Sequence, residues 1–321
     1  GLRSGRGEPC MTRLATIDLG TNTIRLLVVE VAENRSWRPL AQAQTITRLG
    51  EGLRDSGRLG EAAMERAVAT VAEFCRRARA FGAERILIIG TSAVREAANR
   101  SAFLDRVRQA TGQEVQVVPG EDEGRLTMLG VLHGLPALSG SIVVFDIGGG
   151  STEFILARDR KSVLTRSLAL GVVPLAERYM TSEPVDWGRY AGLDREVRAQ
   201  LARELRDFLP EERPDHLVGT AGTVTTLAAL DQALPEYDPE KVHGYRLQRH
   251  RIEELLATLG ALPVAARAAL PCLEPGRADV IIPGIAICLA ALDAFGSGSV
   301  LVCDFGLREG ILIDYLARSA P

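Results

Sequence analysis

The stretches Asp18-Leu19-Gly20-Thr21-Asn22-Thr23 and Asp146-Ile147-Gly148-Gly149-Gly150-Ser151 decide the fold of this chain. Each is entered from an apolar run (Leu14 to Ile17, Ile142 to Phe145) and left through another (Ile24 to Val29, Phe154 to Ala157). The pattern reads as strand, tight turn, strand. Glycine in such a turn has no Cβ, so backbone N–H groups and hydroxyls can close around a phosphate. The leading Asp stands where a carboxylate could hold a metal or a water beside that phosphate. Two such turns facing each other make a cleft for a phosphorylated ligand.

A second pair of motifs repeats the spacing. Gly90-Thr91-Ser92-Ala93 follows the apolar run Ile86 to Ile89, and Gly219-Thr220-Ala221-Gly222 follows Leu217-Val218. Asp146 lies 128 residues beyond Asp18, and Gly219 lies 129 beyond Gly90. One offset shared by two independent motifs points to a duplicated half. Around the motifs the pattern predicts a strand pair over 14–31, a strand near 40–48, a helix from Met64 to Phe81 ended by Gly82, a strand over 85–89, a helix over 98–110 and a strand over 114–118. A helix over 121–133 joins the halves. The second half reads as strands at 142–146, 153–158 and 163–168, helices across 172–208, a strand at 216–219, a helix over 223–233, a strand at 299–303 and a closing helix over 307–318. This is an α/β protein of two similar domains with a cleft between them.

The composition is that of an ordinary soluble globular chain: 321 residues, net charge −3 and 25% charged residues. Nearly all basic residues are arginine, with only Lys161 and Lys241 as exceptions, so the arginine skew covers the whole chain and marks no single polyanion site. Five cysteines without Cys-x-x-Cys spacing read as reduced thiols of a cytoplasmic protein. The four histidines have no metal spacing and read as surface or cleft-rim residues. Val280 to Leu292 is too short to span a bilayer and reads as a buried helix. Residues 1–10 read as a tag or disordered extension.

Pro119-Gly120-Glu121-Asp122-Glu123-Gly124 falls at the junction of the halves. Three carboxylates there fit a solvated helix N-terminus, where negative charge favours the macrodipole. The repeat offers a second reading, because that junction opens onto the cleft.

These residues resemble the exopolyphosphatase/guanosine pentaphosphate phosphohydrolase family. The matching stretches run from Thr12 to Leu316: Asp18 to Arg25, Arg48-Leu-Gly-Glu-Gly-Leu53, Gly90 to Arg95, Gly120 to Leu126, Asp146 to Glu153, Gly219 to Thr223, Leu273-Glu-Pro-Gly-Arg-Ala-Asp-Val280 and Leu307-Arg-Glu-Gly310. The resemblance implies duplicated ribonuclease H-like domains of the actin, Hsp70 and sugar kinase superfamily. The N-terminal domain would take residues 11–121 with the C-terminal helix 305–321, and the C-terminal domain 122–304. It implies that Glu123 activates water, and that Asp146 and Glu153 are acidic residues tied to metal and activity. Asp18, Asp146 and Glu123 would share a cation, Mg²⁺ or Mn²⁺. Here Asp122 departs from the usual Glu of that motif, and Cys272 stands where many relatives have Gly.

Phosphate contacts are expected from Gly20, Thr21, Asn22, Thr23, Arg25, Ser92 and Arg95, and from Gly148, Gly149, Gly150, Ser151, Thr152 and Gly222. Arg277 is a weaker candidate that could instead brace the helix after it. Arginine suits such contacts because its planar fork gives two parallel charge-assisted bonds. The chain stops near Leu316, so the expected form is the short one, without a C-terminal helical extension. No sugar-binding insertion or kinase base is evident. The expected activity is metal-dependent release of orthophosphate from the end of inorganic polyphosphate. Alternatives are hydrolysis of guanosine pentaphosphate and a non-catalytic sensor of guanosine phosphates. A homodimer is expected, with neither nucleic acid nor membrane as partner.

Overall fold

The computed structural model of the protein describes residues 11–209 and 212–319, so the expectation for residues 1–10 lies outside the described residues. One sheet is built from β1 (Thr12–Leu19), β2 (Thr23–Val31), β3 (Trp37–Ile46), β4 (Arg85–Gly90) and β5 (Val115–Val117). Its spatial order is β3-β2-β1-β4-β5. The first three strands run antiparallel, and β1, β4 and β5 run parallel. The other sheet holds β6 (Ser141–Ile147), β7 (Thr152–Arg158), β8 (Lys161–Leu168), β9 (His216–Thr220), β10 (Arg246–Gln248) and β11 (Ser299–Val302), in the order β10-β11-β9-β6-β7-β8. Leaving out β10, the two orders and strand directions are the same. The expected ribonuclease H-like arrangement is present twice.

Both sheets are covered on both faces, which is why their central strands read as continuous apolar runs. In β1, Ala15, Ile17 and Leu19 face the Glu61–Ala80 helix, while Leu14 faces Leu312 of the Leu307–Arg318 helix. In β6, Val143, Phe145 and Ile147 enter the large core of the second half. Ile142 and Val144 pack against Met128, Val131 and Leu132 of the Gly120–Gly134 helix. Each of these two helices therefore follows the last strand of one half and covers the sheet of the other. The two helices also meet: a Cβ on Gly130 would lie 2.0 Å from the Gly306 carbonyl oxygen, and one on Gly310 would lie 1.8 Å from that of Leu126. Only glycine permits so close a backbone approach.

The junction helix starts one residue earlier than the sequence suggested, and the third strand covers 37–46. Strand β10 and the Arg249–Gly260 helix were not anticipated. A three-residue strand with one buried residue, Leu247, carries no periodicity to detect. The Val280 stretch is a helix, Ile281–Ala294, buried through Leu292. Among the described residues no helix is long and apolar enough to cross a membrane.

Candidate active site

A cleft of about 640 Å³ lies between the two sheets, within the range of small-molecule sites. Its floor is made of the two predicted turns, which share one geometry. Gly20 N–H donates to the Thr23 carbonyl at 3.2 Å, and Gly148 N–H donates to that of Ser151 at 2.9 Å. A Cβ on Gly20 or Gly148 would press on the same carbonyl oxygen at 2.7 or 2.9 Å. The turns also touch each other: a Cβ on Gly149 would meet the Asn22 nitrogen at 2.9 Å, and one on Gly150 would meet the Thr21 hydroxyl at 2.7 Å.

The strand register sets the charges. Asp18 pairs across its hairpin with Arg25, and Asp146 pairs across the equivalent hairpin with Glu153. The duplication has thus placed a cation at one strand position and an anion at its counterpart. The Arg25 side chain lines the cleft, with no hydrogen bond or ion pair to another side chain among the described residues. On the other side Asp146, Glu153 and Glu123 converge. Glu123 is buried in the first turn of the junction helix, and Arg95 donates to it at 3.0 Å and to the Val118 carbonyl at 2.9 Å. Glu153 accepts from the Ser151 and Ser167 hydroxyls at 2.7 Å each, and its second oxygen is buried without a partner. Thr127 donates to Asp146 at 3.3 Å.

Burial dominates the titration of all four acids. It pushes Asp18 up to about 6, with Arg25 opposing and Asp146 reinforcing the shift. Burial, then the charge of Asp146, pushes Glu153 up to about 8. Burial and the nearby Glu153 hold Glu123 well above the carboxylate range, against the pull of Arg95. Asp146 is raised by burial as well. Carboxylic acids gathered in this way are short of positive charge. The orphaned Glu153 oxygen and an all-oxygen donor set fit a hard divalent cation. Among the described residues, however, no three acidic, His or Cys side chains converge closely enough to enclose one. A cation bound here would keep water and take substrate oxygens beside one or two carboxylates.

The model of the Ppx/GppA phosphatase family matches residues 27–319. The chain belongs to the Ppx/GppA phosphatase family. It is 32% identical to exopolyphosphatase 1 of Mycobacterium tuberculosis over 308 residues, covering 96% of this chain and 89% of that protein. Among solved structures, the Aquifex aeolicus Ppx/GppA family member is similar at a TM-score of 0.80 and 32% identity, with 97% of this chain and 100% of that one covered. A Cytophaga hutchinsonii exopolyphosphatase gives a TM-score of 0.88 at 26% identity, covering 96% and 99%.

In this Ppx/GppA phosphatase most of the expected residues do line the cleft: Asp18, the Gly20–Thr23 turn, Arg25, Ser92, Glu123, Asp146, the Gly148–Ser151 turn, Gly222 and Arg277. Three stand apart from its lining. The Thr152 hydroxyl points into the core and donates to the Leu170 carbonyl at 2.6 Å, so it is not placed to bind phosphate. Arg95 is engaged with Glu123 and holds that carboxylate instead of an open phosphate site. Glu153, expected to be tied to metal and activity, is only 1% exposed and stands outside the cleft lining. Gly222 has a different part from the one expected. A Cβ there would fall 1.2 Å from the Arg277 guanidinium, so the glycine makes room for that side chain. Arg277 is 8% exposed, and burial and the facing Arg25 both disfavour its charge. Two guanidinium groups facing each other mark a place for an anion.

The sequence reading missed Tyr237, Asp304, Arg308 and Glu309, which line the opposite wall. Tyr237 donates to Asp304, and Glu309 accepts from Gly306 N–H at 2.8 Å and from Arg308 at 2.9 Å. A signal was present: Gly306-Leu-Arg-Glu309-Gly310 repeats the Gly-x-x-Glu-Gly pattern of Gly120 to Gly124. His243, expected at the surface or the cleft rim, is half-buried beside the cleft-lining Asp304. Its ring bridges the Gly134 carbonyl at 2.8 Å and the Asp304 N–H at 3.2 Å.

Proposed function

We propose that this phosphatase hydrolyses the terminal phosphoanhydride of inorganic polyphosphate and releases orthophosphate. The observation that carries the proposal is Glu123, a buried carboxyl held by Arg95 at the meeting point of two phosphate turns. The chain end would lie between the turns, its oxygens facing backbone N–H groups, Arg25 and Arg277. Glu123 takes a proton from a water as the water oxygen attacks the terminal phosphorus, and the bridging oxygen leaves on the shortened chain. A divalent cation held by one or two of Asp146, Glu123 and Asp18, its other places taken by water and substrate oxygens, would offset the phosphate charge. The remaining work is positioning and charge stabilisation. The names of the relatives support polyphosphate as substrate.

Guanosine pentaphosphate is the second reading. Tyr237, Leu273, Val280 and Ile281 give one end of the cleft an apolar wall that a bare phosphate chain has no use for. Phosphate release measured side by side on the two substrates tests the proposal. Activity confined to the nucleotide would replace it with the second reading. The proposed domain division, 11–121 with 305–321 against 122–304, rests on each crossing helix filling the open face of the other half's sheet.

Asp146→Asn is expected to raise the Mg²⁺ concentration for half-activity, because one anionic donor is lost. Lost activity with an unchanged metal titration would assign Asp146 to orienting its turn. Chain length should matter little. The cleft has small-molecule dimensions, and a net charge of −3 gives no global field for a long polyanion. We expect kcat/KM per chain end to stay nearly flat on size-fractionated polyphosphate. A steep rise with length would require further binding sites outside the cleft.

A further inference from the structure

Two motifs singled out in the sequence have residues with no part in the site described above: Arg48-Leu-Gly-Glu-Gly-Leu53, and Leu273-Glu-Pro-Gly-Arg-Ala-Asp279 apart from Leu273 and Arg277. In the fold they meet. Arg48 forms an ion pair with Asp279 and donates to the Gly276 carbonyl at 3.1 Å. Beside them Gln44 donates to Glu274, and Ile46 fits against Gly276, where a Cβ would approach it to 2.8 Å. Further along the seam, Gly52 N–H donates to Glu177 at 2.9 Å.

Each partner is tied to a different phosphate contact. The backbone N–H groups of Thr47 and Arg48 both donate to the Asn22 carbonyl, at 2.9 and 3.0 Å, and Gly50 N–H donates to that of Thr21 at 2.9 Å. Arg48 holds a left-handed backbone, φ +51°, which places its chain on the first phosphate turn and its guanidinium across the cleft mouth. On the far side, the turn that presents Gly276 and Asp279 carries Arg277 between them, and Arg277 reaches into the cleft against Gly222.

The seam is unlike the contact at the helix crossing. At the crossing, backbone meets backbone at glycines amid buried Leu126, Leu307 and Ile311. At the mouth, the Arg48 and Asp279 side chains keep about a third of their exposure, 33% and 31%. Ion pairs at such exposure are weak and exchange readily with water. A tight crossing at one end and a weak polar seam at the other is the construction of a hinge with a releasable closure.

Resting on the phosphatase reading above, we propose that Arg48 and Asp279 are positioning residues that close the cleft mouth and set Arg277 against the first phosphate turn. They touch no substrate themselves. Closure would join the turn that receives the terminal phosphate to the guanidinium that meets the next one.

The test uses the full chain with Arg48→Ala, Asp279→Ala and the exchanged pair Arg48→Asp/Asp279→Arg. Tripolyphosphate kinetics are read beside small-angle X-ray scattering. Each single substitution is expected to lower kcat/KM for tripolyphosphate about twofold to fivefold, mainly through KM, and to enlarge the radius of gyration of the free protein. The exchanged pair should recover most of both. In a Glu123→Gln background, where turnover is slow, saturating tripolyphosphate should return the single variants to the compact radius. Unchanged scattering in both single variants overturns the closure. An enlarged radius with unaltered kcat/KM overturns the link to Arg277. If the unsubstituted protein releases no phosphate from tripolyphosphate, the activity reading fails, and the scattering still decides the closure.

Discussion

Glu123→Gln is expected to lower kcat about a hundredfold or more while leaving substrate affinity nearly intact. The amide keeps the size of the side chain and can still accept from Arg95, but it cannot take a proton from water. The loss therefore falls on the chemical step, with a magnitude in line with general-base contributions. Burial and Glu153 hold the Glu123 pKa above the ordinary carboxylate range. The base form is then the one gained as pH rises, so the acid limb of kcat/KM should lie above that range. Excess divalent cation, which favours the ionised carboxylates, should move the limb to lower pH. Single-turnover phosphate release and substrate binding by the variant give the decisive pair of measurements. Near-normal turnover would move the base elsewhere, with Glu121 and Asp122 the next carboxylates in the same turn.

Gly310→Ala is expected to be the most damaging small substitution outside the cleft. The added methyl would sit 1.8 Å from the Leu126 carbonyl oxygen and 2.5 Å from its carbon. Both are backbone atoms of a helix, so no side chain can rotate away, and the two crossing helices must separate. Overpacking of this kind costs about 1–3 kcal/mol and more where backbone has to move. At about 2–4 °C per kcal/mol for a chain of this class, the melting temperature should fall by roughly 5–10 °C. Activity should fall further than stability alone explains, because the displaced helix carries Glu123. Thermal unfolding followed by calorimetry checks the first effect. An unchanged melting temperature would mean that the crossing is looser than the structure shows.

Much of this molecule was legible in its sequence because the signals are local. A strand buried on both faces reads as an apolar run, and a turn that closes on its own carbonyl needs glycine at a fixed place. Gly20 and Gly148 therefore announced both halves, and the shared offset announced the duplication. Offset matching also has a limit. Glu309 stands in the same pattern as Glu123 but 186 residues later, because the second half carries additional elements, β10 and the Pro239–Val242 and Arg249–Gly260 helices among them, before its last strand. A repeat interrupted by an insertion loses its constant spacing, so Leu307-Arg-Glu-Gly310 was matched as a family stretch but not as a wall of the cleft.

The sequence by itself determined the two sheets, the two glycine turns and the acidic junction helix, since each depends on residues a few positions apart. Only the tertiary structure decided how those groups are used. Thr152 faces the core because the alternation of β7 and the Leu170 carbonyl place it there, and Arg95 meets Glu123 because a helix from one half crosses onto the sheet of the other. Gly222 makes room for Arg277, and Arg48 meets Asp279 across 231 residues of chain. Contacts of that range are fixed by packing, where many weak preferences must be met together, and no single stretch of sequence contains them.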